Sequence, residues 1–179
     1  MPEHSDKELL ALCRMSPEAG FTALVEQYSR RIYWHVRRMV VSHEDSDDIV
    51  QNTFLKCWMA LKGFRGESSL STWLYTIATN DALMVLRKRK SAIRTDPDDI
   101  GSLLASLPEG DTWFDGDDAQ MRFQDAILRL PEKQRLVFLL RYYDDMPYSE
   151  IAVITGTSEG ALKSSYHHAV KKVEKFLSE

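Results

Sequence analysis

Cysteine is nearly absent: Cys13 and Cys57 are the only two in 179 residues. Without a Cys-x-x-Cys pair or a histidine at ligand spacing beside them, neither a zinc site nor a disulfide framework is expected, and both read as reduced, buried thiols. Long apolar runs are missing too. Stretches such as residues 136–140 fall far short of the roughly 20 residues that a membrane span needs, and Pro2, Glu3, His4, Ser5 and Asp6 lack the basic-then-apolar pattern of a secretion signal. A cytoplasmic chain is expected. Glycine and proline are sparse, at 8 and 6, while 44% of residues are hydrophobic, so collagen-like and disordered classes drop out.

Basic residues are absent from one whole segment. The chain carries a net charge of −4, which taken whole argues against a polyanionic partner. The sum conceals a division: residues 1–94 carry +3, residues 95–118 hold eight acids and no base, and residues 119–179 carry +1. That composition reads the middle segment as a solvated, flexible linker between two small domains, 1–94 and 119–179.

Alternating apolar and polar residues are lacking as well, so no strand stands out. Apolar residues recur instead at three and four, which predicts an all-α fold. Helices are expected over residues 6–14, 17–41, 44–63 and 71–90, then 119–130, 132–143, 148–154 and 158–176. The second expected helix has an apolar row (Phe21, Leu24, Val25, Tyr28, Ile32) and a basic row (Arg30, Arg31, Arg37, Arg38). Thr155, Gly156 and Thr157 form the short glycine-containing corner of a helix-turn-helix.

On the third helix, a wheel gathers Val50, Phe54, Cys57, Trp58 and Leu61 into a core arc. The opposite arc carries Asp48, Asn52, Leu55 and Met59, two large apolar residues on a face that should be solvated. A protein partner would cover them; scattered surface apolar residues are the plainer alternative. On the fourth helix, Leu70, Trp73, Leu74, Ile77 and Ala78 read as core, with Thr72, Thr76, Asn80 and Leu83 on a second face. This helix ends in Arg87, Lys88, Arg89 and Lys90. Such a run commonly just complements a helix dipole. Here Ser68, Ser69, Ser71, Asn80 and the aromatic Trp73 and Tyr75 add groups that bond to or stack on bases, which favours nucleic acid.

The last helix has an inward row of Leu162, Tyr166, Ala169, Val170, Val173 and Leu177. Its outward face of Gly160, Lys163, Ser164, His167, Lys171 and Lys175 suits a major groove, with Ser158 as the cap. The acidic groups Asp45, Asp47, Asp48 and Asp144, Asp145 raise the thought of magnesium. No enclosing apolar cavity or nucleophile-base pair accompanies them, so no catalytic, metal or cofactor site is expected.

These residues resemble the extracytoplasmic-function (ECF) group of bacterial sigma factors along nearly the whole chain. Residues 21–39 resemble the first conserved segment of the promoter-melting domain. Residues 48–58 (DIVQNTFLKCW) resemble the polymerase-binding helix, with Asn52 where the family usually has Glu. Phe64, Arg65 and Gly66 with residues 71–80 (STWLYTIATN) resemble the segment that opens and reads the downstream promoter element. Residues 130–135 (LPEKQR) and 148–152 (YSEIA) resemble the entry and helix-turn-helix of the second domain. Met84, Ser165 and His168 depart from the family pattern, standing where members often have Asp, Arg and Arg.

The resemblance implies that Asp48, Gln51, Asn52, Leu55 and Met59 bind the clamp helices of the largest subunit of core RNA polymerase. Downstream promoter DNA would meet Arg65, Ser68, Ser69, Ser71, Trp73, Thr76, Asn80, Arg87, Lys88, Arg89 and Lys90. Its upstream element would meet Ser158, Gly160, Lys163, Ser164, His167 and Lys171. An anti-sigma factor is implied as a further partner. The acidic segment would be either a plain tether or a mimic of RNA phosphates in polymerase's basic channel. A stand-alone helix-turn-helix regulator is the competing class, and would bind duplex DNA by itself, usually as a dimer.

Overall fold

A computed structural model describes residues 4–92 and 118–178, and every regular element among them is helical. The chain divides into two compact units, Met1–Arg87 and Lys88–Glu179. Helix α4 runs past that division. Of the acidic stretch expected as a linker, only Asp118 lies within the described residues.

In the first unit, α1 (Asp6–Met15), α2 (Pro17–Val40), α3 (His43–Ala60) and α4 (Leu70–Ala92) succeed one another, with a single 3-10 turn, Leu61–Gly63, after α3. Local chemistry sets the boundaries. Ser5 and Glu8 form a reciprocal capping box on α1, and Pro17 occupies the first turn of α2, where its missing N–H is not needed. The Ser42 side chain accepts from the Asp45 N–H to cap α3. Val41, between α2 and α3, has a left-handed φ of 66°. A β-branched residue there is strained, and its complete burial offsets the strain.

Leu24, Tyr28, Ile32, Val36 and Val40 form the buried row of α2, and Leu70, Leu74, Ala78 and Ala82 of α4 and Cys57 of α3 are buried as well. Each fully buried Leu or Ile contributes about 1.5–3 kcal/mol. Asp6 links remote segments: its carboxylate accepts from the Leu70 N–H at 2.8 Å and from the Tyr28 hydroxyl at 3.3 Å. Inside the core, His35 Nε2 shares a 2.8 Å hydrogen bond with Thr79 Oγ1, and the His35 ring lies 4.8 Å from that of Tyr75.

Two sequence expectations change here. Arg37, placed by sequence in a basic row, is buried, and that burial pulls its guanidinium below the usual arginine range. Cys57 is buried as expected but Cys13 is only half-buried, and both are free. Burial, reinforced by the Cys13 thiol, pushes Cys57 up to about 12, which leaves it inert as a nucleophile at neutral pH.

The second unit contains α5 (Asp118–Leu128), α6 (Glu132–Tyr142), α7 (Tyr148–Thr155) and α8 (Glu159–Ser178). Pro131 stands at the N-cap of α6, just before the Glu132 start expected from sequence. Helix α6 is buried almost all round, from Arg135 through Leu140, as a central helix must be. Arg135 reaches the Leu128 carbonyl at 3.3 Å, and burial lowers its affinity for the proton. Gly156 ends α7 with φ 65°, a conformation that favours glycine and makes the corner between α7 and α8.

Candidate functional site

Three surfaces carry the residues singled out by sequence. The first is the outward face of α3. Asp48, Gln51, Asn52, Leu55 and Met59 are all exposed on it, while Ile49, Thr53, Phe54 and Cys57 face the core. Leu55 is 54% and Met59 74% exposed. Trp58, expected in the core, is 40% exposed: its ring meets Phe21 edge-on at 5.0 Å and covers the edge of the core rather than entering it. The exposed apolar set is therefore Leu55, Trp58 and Met59, three large side chains within five residues.

The second surface lies between the end of α3 and the start of α4. Gly66 takes a left-handed φ of 73° and turns the loop. The loop and helix ends enclose an open cleft of about 640 Å³ lined by Met59, Phe64, Arg65, Ser68 and Trp73, among others. The Phe64 and Trp73 rings pack 4.8 Å apart. Ser69 faces inward to the helix: its hydroxyl oxygen accepts from the Thr72 N–H at 3.0 Å. Thr76 is half-buried and donates its hydroxyl to the Thr72 carbonyl. Ser71 is half-buried.

Asn80 is exposed but stands apart from the cleft, seven residues or roughly 10 Å beyond Trp73 along the helix. Tyr75, read from sequence as a stacking aromatic, is completely buried against His35 and has no face to offer a base. Arg87 and Lys88 are exposed, whereas Arg89 is half-buried and burial lowers its affinity for the proton. Lys90 continues the helix. Earlier on the same helix, Asp81 is buried and paired with Lys56 of α3.

The third surface is α8. Ser158 Oγ accepts from the Ala161 N–H at 3.4 Å, and Gly160, Lys163, Ser164, His167 and Lys171 are all exposed. Leu162, Ala169 and Val173 are buried. Leu177 departs from the expected inward row at 37% exposed; at the end of the helix its neighbour Phe176 packs inward instead, under the Arg129 guanidinium.

Sequence reasoning gave Arg141 no role and Tyr148 only its place at the start of the helix-turn-helix. The Tyr148 ring at the start of α7 has two cations within cation–π distance, Arg141 at 5.5 Å and Lys163 at 5.7 Å. No helical periodicity links the three positions, so only the fold brings them together. Among the described residues, no group of three or more His, Cys, Asp or Glu side chains could hold a metal ion, and no helix is long and apolar enough to cross a membrane. The acidic clusters are engaged locally: Asp145 pairs with Arg141 at 3.0 Å and Asp47 lies 3.5 Å from His43.

Residues 24–92 match the family model for sigma-70 region 2, and residues 120–173 that for sigma-70 region 4. The chain is 32% identical to the ECF RNA polymerase sigma factor SigG of Mycobacterium tuberculosis, over 86% of this chain but about half, 48%, of that protein's length. It is 28% identical to the RNA polymerase sigma-H factor of Pseudomonas aeruginosa, over 99% of this chain and 96% of the relative. With SigW of Bacillus subtilis it shares 29% identity, over 96% of each. The fold is that of CnrH, solved in complex with the cytosolic domain of CnrY, at a TM-score of 0.73 and 22% identity over 98% of each chain. It is likewise that of RpoE from Bartonella quintana, solved with the anti-sigma factor NepR, at 0.69 and 22% identity over 88% of this chain and 96% of that one.

Proposed function

The chain belongs to the extracytoplasmic-function group of sigma-70 factors, and from that premise we propose that it binds core RNA polymerase and directs it to particular promoters. The observation that carries this reading is the outward face of α3. Leu55, Trp58 and Met59 stand exposed within five residues, a grouping of the kind that marks a protein contact rather than scattered surface residues, and Asp48, Gln51 and Asn52 beside them supply a polar rim. The partner surface is the clamp helices of polymerase's largest subunit. Residues 1–94 act as region 2 and residues 119–179 as region 4, joined by the acidic segment 95–118. The role is binding and positioning in the cytoplasm, with no catalytic group, metal or cofactor of the chain's own. An anti-sigma factor holds the protein inactive until it is needed.

Promoter opening follows from the cleft at the start of α4. A base leaving the duplex costs a few kcal/mol. The cleft offers compensation through the Phe64–Trp73 pair, the Arg65 cation and the Ser68 hydroxyl. Ser69, Ser71 and Thr76 frame that helix start, and Asn80, Arg87, Lys88, Arg89 and Lys90 continue the contact along the strand.

The upstream element is read by α8, whose early residues reach base edges while later ones reach phosphates. Ser158, Gly160, Ser164 and His167 flank Lys163 on this face. Lys163→Ala is expected to change the preference among upstream sequences and to cost about 1–3 kcal/mol on the best site if the contact is bidentate. Lys171→Ala, two turns later, is expected to weaken all sequences alike and to lower the salt slope by about one. Holoenzyme binding across an upstream-element library at two salt concentrations checks both. A Lys171→Ala variant that reorders preference, beside a neutral Lys163→Ala, contradicts this docking.

A further inference from the structure

Lys163 is exposed on the outward face of α8, and a lysine there ordinarily samples many rotamers, which binding must freeze. Its ammonium is not unguided in this protein. The Nζ atom lies 5.7 Å from the centroid of the Tyr148 ring, which belongs to the other helix of the helix-turn-helix. That ring is itself held. Arg141 lies over it at 5.5 Å, and Arg141 is anchored in turn, donating to the Asp145 carboxylate at 3.0 Å and the Met146 carbonyl at 3.2 Å. The Tyr166 ring meets Tyr148 edge-on at 6.4 Å and stacks on the buried Phe138 at 5.8 Å. The chain of contacts therefore runs from the hydrophobic core through Tyr166 and Tyr148 to one cation on the surface.

We propose that Tyr148 is a positioning residue for sequence readout: its ring holds the Lys163 ammonium in place over α8, so that it meets one base edge of duplex DNA with little ordering left to do. This rests on the reading of α8 as the upstream-element helix. The interaction is the attraction of a cation to an aromatic quadrupole, so it depends on the ring and not on the hydroxyl. Arg141 serves the ring, and Lys163 serves the DNA.

The test measures, with the full chain assembled on core RNA polymerase, the preference ratio between the best upstream sequence and its single-base variants. Tyr148→Leu is expected to lower that ratio by about twofold to fivefold at the position Lys163 reads, leaving the salt slope unchanged because no charge is lost. Tyr148→Phe keeps the ring and is expected to keep the ratio. In a Lys163→Met background, Tyr148→Leu is expected to have no further effect. Because the ratio is taken within one preparation, inactive molecules cancel, and Tyr148→Met gives the same readout if the leucine variant does not fold. An unchanged ratio in Tyr148→Leu, a loss in Tyr148→Phe equal to that in Tyr148→Leu, or an equal further loss on top of Lys163→Met overturns the positioning role. If Lys163→Met by itself leaves every preference intact, the assignment of α8 fails, and the positioning role fails with it.

Discussion

Replacing Leu55 with arginine is expected to weaken binding to core RNA polymerase by about thirtyfold or more, the loss of about 2 kcal/mol typical of a central interface anchor. The substitution puts a charge where a partner must remove water, and the cost of desolvating it falls on the complex alone. The free protein should tolerate it. Leu55 is 54% exposed and points away from Ile49, Thr53 and Cys57, which hold α3 to the core, so melting should shift little. Titration of labelled variant into core polymerase, alongside a thermal melt, separates the two effects. A folded Leu55→Arg chain that binds core polymerase normally would remove α3 from the interface. The paired expectation for Cys57, on the opposite face of the same helix and completely buried, is lost folding rather than lost binding.

Gly20→Ala is expected to destabilise the first unit, although in an isolated helix the same change would stabilise by about 1 kcal/mol. Gly20 lies in the first turn and a half of α2, where α1 has just turned back on it. A Cβ built there would come within 3.0 Å of the backbone nitrogen, Cα and Sγ of Cys13. Two of those three atoms are backbone, so no rotamer change relieves the overlap; α1 must move. Overpacking of this kind costs about 1–3 kcal/mol or more, and a net loss of about 2 kcal/mol would lower the melting point of a unit this size by roughly 10 °C. Calorimetry of the full chain decides the sign. A variant at least as stable as the parent would mean that α1 and α2 do not approach as closely as the structure has them.

Helix identity was legible from sequence because the three-and-four apolar period agrees with the boundary residues: Pro17 opens α2 and Gly156 ends α7 where the structure has them. The outward face of α3 was legible for the same reason, since Leu55 and Met59 break an otherwise polar arc. What sequence misplaced were residues with neighbours on more than one side. Helix α4 packs through His35 and Thr79 on one side and through Asp81 and Lys56 on another. Two adjacent residues, Leu74 and Tyr75, are therefore both buried, and a wheel with one apolar face cannot show that. Arg37 stands in a basic row, but a charge pattern along one helix does not show burial, which the neighbouring elements set. Trp58 and Leu177 failed at the edge of an arc and the end of a helix, where one residue of rotation decides which side chain turns inward. The Tyr148 platform was not legible at all, because its three members lie on different elements and only meet in the fold.

The most direct measurement of the central claim combines this chain, core RNA polymerase and a promoter library at physiological salt. With net charges of only +3 and +1 in its two flanking segments and eight acids between them, the free chain lacks the excess of cations that tight DNA binding requires. It is expected to give no sequence-specific gel shift by itself, to co-elute with core polymerase, and with it to start transcription from a restricted subset of the library. Tight, sequence-specific DNA binding by the free chain, with no association with core polymerase, would contradict the account and establish a stand-alone regulator in its place.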